Sequence, residues 1–353
     1  MAEQRKAVAL ISGGLDSMLA ARVIQDQGIE VEGVNFFTGF CVEGHTHAIR
    51  EKKRNTPKRN NALWVAEQLG IKLHIIDVID EYKDVLLNPK HGYGANLNPC
   101  LDCKVFMVRK AMELFLDDAF MESHGFDFVI TGEVMGQRPK SQRKETLPLI
   151  AQESGADDRL LRPLSAKHLP ETLAEREGWV DRDALFSFHG RNRKPQLALA
   201  RSLGFEEWAQ PAGGCCFLTD ENYSKKLTDL WTARGERDYE LDDIMLLKVG
   251  RHLRPAPNFK LIIGREDGEN QFLSGYGYRY TTVKLVSHKG SLGLIDGKPG
   301  PADIELAARI VARYSQGRDE DAVTLTIEAP DGTGTTLTVK PLGKDDVQSA
   351  WHV

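Results

Sequence analysis

Six residues near the start of the chain have the types and spacing of an anion-binding loop. They lie between Lys6–Ile11, an apolar run that predicts a buried strand, and a segment with the apolar spacing of a helix. Paired glycines let a backbone approach phosphate closely, and a helix N-terminus offers unpaired N–H groups. Asp16 can cap that helix or hold a metal ion that bridges phosphates. The candidate nucleotide-binding residues are Ser12, Gly13, Gly14, Leu15, Asp16 and Ser17.

Cysteine is the second residue type whose spacing indicates chemistry. Cys100 and Cys103 precede a helix predicted over 104–121, and Cys215 and Cys216 follow more than a hundred residues later. In a reducing compartment, clustered cysteines are more often metal ligands or redox catalysts than structural disulfides. Two thiolates from one turn and a third from a distant loop would form a site with one open position.

The third thiolate is assigned to Cys215, with Cys216 as the alternative third ligand. A structural zinc site that uses all four cysteines remains an alternative, although adjacent cysteines rarely both point at one ion. Cys41 is interpreted as a small buried hydrophobe or a loop residue rather than a ligand.

Polar and basic segments follow the predicted strands. Residues 131–142 begin where the predicted strand 126–131 ends, and Gly132 and Gln137 are the candidates there for nucleotide contact. Residues 45–59 and 189–194 carry many cations, which suit an RNA backbone because phosphate neutralisation dominates RNA affinity. The alternative is a solvated surface. The candidate RNA-binding residues are Arg138, Lys140, Arg191, Arg193, Lys194, Arg251 and Arg254.

The elements that must position these residues predict an α/β fold. Strands and helices alternate up to about residue 131, which indicates a doubly wound parallel sheet covered on both faces. Ligands of such sheets bind beyond the carboxyl ends of the strands. After about residue 229 the pattern changes to short strands, among them 244–249, and one helix over 302–314. We therefore predict two domains, residues 1–228 and a smaller α+β domain over residues 229–353.

Composition excludes several classes of protein. The formal net charge of −5 excludes a chain that coats nucleic acid by bulk charge, but it leaves room for a local basic groove. No apolar run approaches the ~20 residues that cross a bilayer, so we expect a cytoplasmic protein without a membrane partner.

The hexapeptide Ser12–Ser17 resembles the S-G-G-x-D-S loop of the PP-loop ATP pyrophosphatases, which hold the pyrophosphate of ATP during adenylyl transfer. Together with the cysteines it resembles the tRNA thiouridine synthetases. The resemblance implies ATP and Mg²⁺ as cofactors, tRNA as substrate, and sulfide or a persulfide carrier as sulfur donor. It also implies a catalytic set of Asp16, Cys100, Cys103 and Cys215, in which the three cysteines hold a 4Fe–4S cluster. In other members, a cysteine persulfide delivers the sulfur.

Two further segments refine this resemblance. Gly213-Gly-Cys215 and residues 132–142 resemble the 4-thiouridine synthetases more than the 2-thiouridylases, which favours 4-thiouridine as product, whereas Cys216-Phe217 resembles the 2-thiouridylases. Residues 243–270 resemble the RNA-binding domain of the NFACT family, and Arg251, His252, Arg254 and Lys260 would then be available to RNA. A second copy of the chain is a candidate partner. Rival hypotheses are a PP-loop enzyme acting on a small molecule and an RNA-binding protein with a structural zinc site.

Overall fold

The computed structural model describes residues 4–42, 60–116, 125–208 and 216–353. These residues divide into two compact units: the first ends at Thr219 and the second begins at Asp220, except that Val42 is grouped with the second. Position 228, the expected end of the first domain, lies within the helix Glu221–Arg234. Among the described residues, no helix is long and apolar enough to cross a membrane.

The first unit is built on a five-stranded sheet with the strand order β3-β2-β1-β4-β5. Every strand pair in this sheet is parallel, which confirms the predicted doubly wound α/β architecture. The strands are β1 Lys6–Leu10, β2 Glu30–Phe37, β3 Leu73–Asp77, β4 Phe128–Ile130 and β5 Leu160–Leu161.

Helices cover both faces of this sheet. The helices of this unit are α1 Leu15–Gln25, α2 Asn61–Leu69, α3 Ile79–Leu87, α4 Cys100–Phe115, α5 Thr146–Glu153, α6 Leu173–Arg176 and α7 Lys194–Ser202. Successive side chains of a strand point to opposite faces. Accordingly, Ala7 and Ala9 of β1 join a core with α1, α2 and α7, whereas Val8 joins a separate core with α4 and α5.

The strand order creates a specific binding position. From β1 the chain proceeds to β2 and β3 on one side, and the later strands β4 and β5 lie on the other side. The loops that leave the carboxyl ends of β1 and β4 therefore diverge around a crevice, the place where open α/β sheets bind ligands. Ser12–Ser17 follows β1 and Gly132 follows β4, so the sequence candidates for nucleotide binding lie at this crevice.

The second unit is an antiparallel α+β structure. Its six-stranded sheet has the order β11-β10-β8-β9-β7-β6. The helix α11 packs on one face through apolar residues that include Ile310 and Val311, and a second apolar cluster that includes Leu273 and Tyr280 covers the other face. Its elements are α8 Glu221–Arg234, α9 Leu241–Leu246, β6 Arg251–Ala256, β7 Phe259–Ile263, α10 Asp267–Ser274, β8 Thr281–Leu285, β9 Leu292–Gly297, α11 Pro301–Arg313, β10 Val323–Glu328 and β11 Gly334–Val339.

The expectation of a strand over residues 244–249 is wrong. The helix α9 occupies 241–246 instead, and its first turn carries Asp242 and Asp243. A capping box between Glu240 and Asp243 satisfies N–H groups at the start of this helix. Acidic caps, which favour a helix N-terminus, therefore outweigh the strand propensity of the apolar run that follows.

Candidate active site

The loop Ser12–Ser17 forms an open helix N-terminus. Gly13 adopts a φ of 76°, in the left-handed region that favours glycine, and Gly14 is the N-cap of α1. The Ser17 hydroxyl donates to the Gly14 carbonyl at 2.8 Å and lies 3.3 Å from the Ser12 hydroxyl. Among the described residues, no side chain caps this helix. Its first N–H groups and the positive end of its dipole are therefore available to an anion.

Gly132 brings the segment after β4 against this loop. A Cβ at position 132 would lie 2.4 Å from both the Asp16 carbonyl carbon and the Ser17 nitrogen. Glycine at position 132 therefore lets the backbone after β4 pack closely against the backbone of the Asp16–Ser17 peptide. We expected Gly132 to admit a nucleotide, and the structure adds this packing requirement inside the protein.

Gln137 and Gln196 hold the Asp16 carboxylate in place. Gln137 Nε2 donates to Asp16 Oδ2 at 2.7 Å, and Gln196 Nε2 donates to Gln137 Oε1 at 2.9 Å. Gln196 lies in the first turns of α7 and is fully buried. The result is a relay of amides that fixes one carboxylate oxygen of Asp16.

The other oxygen of this carboxylate remains open. Among the described residues, Asp16 Oδ1 is buried but accepts no hydrogen bond, and the Arg193 Nε donates none. Arg193 Nη2 lies 3.7 Å from Asp16 Oδ1, an ion pair without a direct hydrogen bond. A buried oxygen without a donor is suited to a metal ion, and oxygen ligands are those that Mg²⁺ prefers.

Glu133 connects the segment after β4 to the cysteine-bearing helix. This buried carboxylate accepts from Arg162 Nε at 2.9 Å and lies 3.9 Å from Lys104 Nζ. Burial alone would raise the pKa of Glu133, but the attraction of Arg162 and Lys104 outweighs it and holds the pKa below its usual range. Lys104 directly follows Cys103, so this ionised pair positions the turn that carries the thiols.

The cysteine pair lies within a helix rather than before it. The helix α4 begins at Cys100, and the Cys103 N–H donates to the Pro99 carbonyl at 2.8 Å. Residues three apart share one face of a helix, and the positive end of the dipole favours thiolates there. The Cys100 thiol donates to the Ser141 hydroxyl at 3.2 Å.

Cys216 also lies near this turn. Its Sγ is 3.7 Å from the Oδ1 of Asn98, two residues before the helix α4 begins. Asn96 Nδ2 donates to the Thr219 carbonyl at 2.9 Å, which fixes the segment that follows Cys216. Cys215 lies outside the described residues. Within the described residues, no three His, Cys, Asp or Glu side chains are arranged to hold a metal ion, so the three-cysteine site stays a proposal.

The basic residues of the first unit differ in exposure and in their contacts. Arg138, Arg191 and Lys194 are exposed, whereas Arg193 reaches Asp16. Lys140 is exposed but donates to the Tyr93 carbonyl at 2.8 Å. The basic run over 45–59 lies outside the described residues.

The basic residues of the second unit are mostly engaged within that unit. Arg254 places two guanidinium nitrogens on the Asp229 carboxylate, and Lys260 donates to the same group at 3.1 Å. Lys260 is 1% exposed and His252 is 2% exposed. The expectation that these two are available to RNA is therefore wrong, because the β6–β7 strand pair turns them inward. Arg251 lies over the Tyr314 ring, 4.8 Å from its centroid, and remains half-exposed.

Sequence reasoning missed Glu133, Gln196 and Lys104. Glu133 adjoins Gly132 in a segment already singled out, and Lys104 adjoins Cys103, so proximity in sequence was an available signal. Gln196 carries no such signal, because its role depends on how α7 packs across α1.

Two segments of the chain match known family models. Residues 5–172 match the tRNA methyl transferase HUP domain, and residues 250–352 match the NFACT protein RNA binding domain. The chain is also similar to the tRNA-specific 2-thiouridylase MnmA 2 of Caldanaerobacter subterraneus subsp. tengcongensis. The two are 23% identical over 93% of this chain and 89% of that protein.

Two other proteins resemble it over shorter stretches. The tRNA-specific 2-thiouridylase MnmA of Treponema denticola is 24% identical, over 70% of this chain and 63% of that protein. A crystal structure of a 4-thiouridine synthetase–RNA complex with bound ATP is 21% identical with a TM-score of 0.39, over 62% of this chain and 46% of that one. Residues 5–172 accordingly form a PP-loop domain of the tRNA methyl transferase HUP family, and residues 250–352 form an RNA-binding domain of the NFACT type.

Proposed function

We propose that this protein is an ATP-dependent tRNA sulfurtransferase of the thiouridylase type, acting in the cytoplasm. A uridine carbonyl oxygen would attack the α-phosphorus of ATP, and pyrophosphate would leave. Sulfur would then attack the activated carbon, and AMP would depart with the former carbonyl oxygen. The sequence similarity to 2-thiouridylases and the two family matches support this reaction class.

One observation carries the proposal. The short segment after β4 contacts both halves of the required chemistry, because Gly132 packs on the Asp16–Ser17 peptide and Glu133 lies 3.9 Å from Lys104 on the cysteine-bearing helix. An anion-binding loop and a pair of thiols are thus connected by two consecutive residues. Adenylation and sulfur delivery at one carbon need this proximity.

The residues of the loop would bind and orient the nucleotide. The open N–H groups of α1 and the Ser12 and Ser17 hydroxyls are suited to the departing pyrophosphate. Asp16 Oδ1 would hold Mg²⁺, which shields phosphate charge. Gln137 would keep the Asp16 carboxylate oriented throughout.

The thiols would supply the sulfur chemistry. Cys100 and Cys103 present two thiolate donors from one helical turn, the ligand type that iron–sulfur clusters use. With Cys215, or Cys216 in its place, they would hold a 4Fe–4S cluster that offers an open position for sulfide. Delivery from a cysteine persulfide is the alternative, with a persulfide carrier as donor in that case.

The product we propose is 4-thiouridine, on the resemblance of residues 132–142 and 213–215 to that group. The relatives reported above are 2-thiouridylases, and 2-thiouridine is therefore the alternative product. RNA binding would be shared between the exposed cations near the loop and the second unit, whose residues 250–352 match an RNA-binding domain.

The test is reconstitution with the full-length protein. Purified protein is incubated with ATP, Mg²⁺, unmodified tRNA and a sulfide or persulfide source, and pyrophosphate release and tRNA nucleosides are measured. We expect pyrophosphate release that depends on tRNA, and a thiouridine that is absent from tRNA of a strain lacking the gene. Pyrophosphate release that does not depend on tRNA would instead indicate a small-molecule substrate.

The sulfur site is tested separately. Anaerobically purified protein is analysed for iron and acid-labile sulfide, and Cys103→Ser is compared with the wild type. Iron and sulfide that disappear in this variant support the cluster. Iron-free protein that still thiolates tRNA from a persulfide donor would replace the cluster with the persulfide route.

A further inference from the structure

Cys41 and Cys216 face each other in the first unit, although 175 positions separate them in the sequence. They form an isolated antiparallel bridge. The Phe217 N–H donates to the Phe40 carbonyl at 2.9 Å, so the hydrogen bond joins the residues that flank the cysteines. The cysteines are therefore a non-hydrogen-bonded pair, the type in which opposed Cα atoms lie about 4.5 Å apart and side chains approach most closely.

This arrangement matches what a disulfide requires. Bridged cysteines have Cα atoms about 4.4–6.8 Å apart, and directly opposed residues of a strand pair project on the same face. Both cysteines are half-buried rather than enclosed in a core. The Cys41 Sγ lies 3.6 Å from the Thr38 hydroxyl and the Cys216 Sγ lies 3.7 Å from Asn98 Oδ1, so formation of the disulfide would replace these two weak contacts.

We propose that Cys41 and Cys216 form a reversible disulfide. A small-molecule disulfide of the glutathione class is the oxidant. One protein thiolate attacks it and releases one small thiol, and the second protein thiolate then displaces the other small thiol as the Sγ–Sγ bond forms. The protein loses two protons and two electrons, and the small disulfide is reduced to two thiols. A dithiol reductant reverses both steps.

The pair would control the sulfur chemistry, a consequence that rests on the proposed function. Cys216 lies beside the helix start that carries Cys100 and is the alternative third sulfur ligand. A disulfide with Cys41 would withdraw this thiol from sulfur transfer. Cys41, interpreted from the sequence as a small buried hydrophobe or a loop residue, would then be a redox partner of the site.

The experiment detects the bond without any catalytic assay. Full-length protein is incubated with oxidised glutathione, remaining thiols are alkylated, and peptides are analysed under non-reducing conditions. We expect a linked peptide pair that contains Cys41 and Cys216 and is lost on reduction with dithiothreitol. Cys100→Ser, the matched control, should keep this link, and Cys41→Ser should lose it and carry glutathione on Cys216 instead.

Two results would overturn the proposal: alkylated Cys41 after full oxidation of Cys216, or Cys216 linked to Cys100 or Cys103 in the wild type. Because neither ATP nor tRNA is present, the link can form in a protein that never thiolates tRNA, and it can fail to form in one that does. The two proposals therefore fail separately.

Discussion

The two units differ in how they bind the carboxylate of a half-buried aspartate. In the first unit, Asp16 is fixed through one oxygen by Gln137, while its other oxygen accepts no hydrogen bond among the described residues. In the second unit, Asp229 is bonded by both Arg254 and Lys260. A carboxylate whose oxygens are all bonded contributes to the fold, whereas one that is oriented but left open is prepared for a ligand.

Sheet topology explains the difference. In the parallel sheet, the loops that follow the strands all leave the carboxyl edge. Polar residues that are distant in sequence therefore lie together beyond the strand ends without being covered. In the antiparallel sheet, both faces are packed, and the basic residues of β6 and β7 must find partners inside the unit. A cluster of cations in the sequence thus has different meanings in the two architectures.

The largest effect is expected from Asp229→Asn. This change leaves Arg254 and the buried Lys260 without their carboxylate, and breaking such a pair costs about 3–5 kcal/mol of unfolding free energy. Denaturant unfolding measures it, and the exposed Glu236→Gln is the control. A loss below about 1 kcal/mol would contradict the structural role assigned to Asp229.

The same variant has a predicted pH signature. Burial alone would raise the pKa of Asp229, but Arg254 and Lys260 outweigh it and lower the pKa in the folded state. A lowered folded pKa stabilises the protein above the unfolded value of about 3.9, and this stability disappears as the pH falls towards the folded pKa. The difference in stability between wild type and Asp229→Asn should therefore shrink below about pH 4.

Asp16→Asn should reduce activity strongly but change stability little, whereas the expected effect of Asp229→Asn is on stability. Loss of the open carboxylate oxygen should lower tRNA-dependent pyrophosphate release about 100-fold or more, the usual cost of removing one charge-stabilising group. Unfolding free energy should change little, because no described residue donates a hydrogen bond to that oxygen and Arg193 pairs with it only at 3.7 Å. Asp26→Asn, at an exposed pair with Arg22, is the control. Normal activity with Asn at position 16 would remove this residue from the mechanism.

Gln196→Ala tests the relay behind Asp16. Without Gln196 Nε2, Gln137 loses the contact that orients its amide, so we expect about a 10-fold lower kcat with little change in the KM for tRNA. Rescue by Gln196→Asn is not expected, since the shorter side chain does not reach. The exposed Gln271→Ala should leave both constants unchanged. A defect confined to the KM for tRNA would instead place Gln196 in RNA binding.

The smallest expected effect is on the salt dependence of RNA affinity. Arg191→Ala and Lys194→Ala should each lower the slope of log affinity against log salt concentration by about 1, as expected for cations that contact phosphate. Arg254→Gln should leave the slope unchanged, because its guanidinium is held by Asp229. A reduced slope for Arg254→Gln would show that the Arg254–Asp229 ion pair breaks when RNA binds.

The predictable part of the site is the part encoded locally. The turn and helix N-terminus of Ser12–Ser17 could be predicted because both lie within one short segment. The position of Gln137 after a strand end predicts nucleotide contact, but it does not predict the hydrogen bond of Gln137 to Asp16. The contact of Gln196 with Gln137 depends on packing between distant elements, which no spacing reveals.

The second unit was harder to predict for a related reason. The apolar run over 244–249 has strand-like composition, whereas the acidic caps at Glu240 and Asp243 favour the helix that occupies 241–246. The inward direction of Lys260 depends on the pairing of β7 with both β6 and β9, a non-local property. The residue types there identify charged side chains, but they do not show whether those side chains are exposed to solvent.

The position of α7 sets the smallest piece of this protein that could retain a supported Asp16 carboxylate. The family match ends at residue 172, yet two residues beyond it support Asp16. Arg193 forms an ion pair with the Asp16 carboxylate, and Gln196 donates to Gln137, which in turn donates to that carboxylate. A fragment cut at that limit would keep its phosphate loop and lose the support behind it. Excision or domain transplantation should therefore extend at least through Ser202, the last residue of that helix.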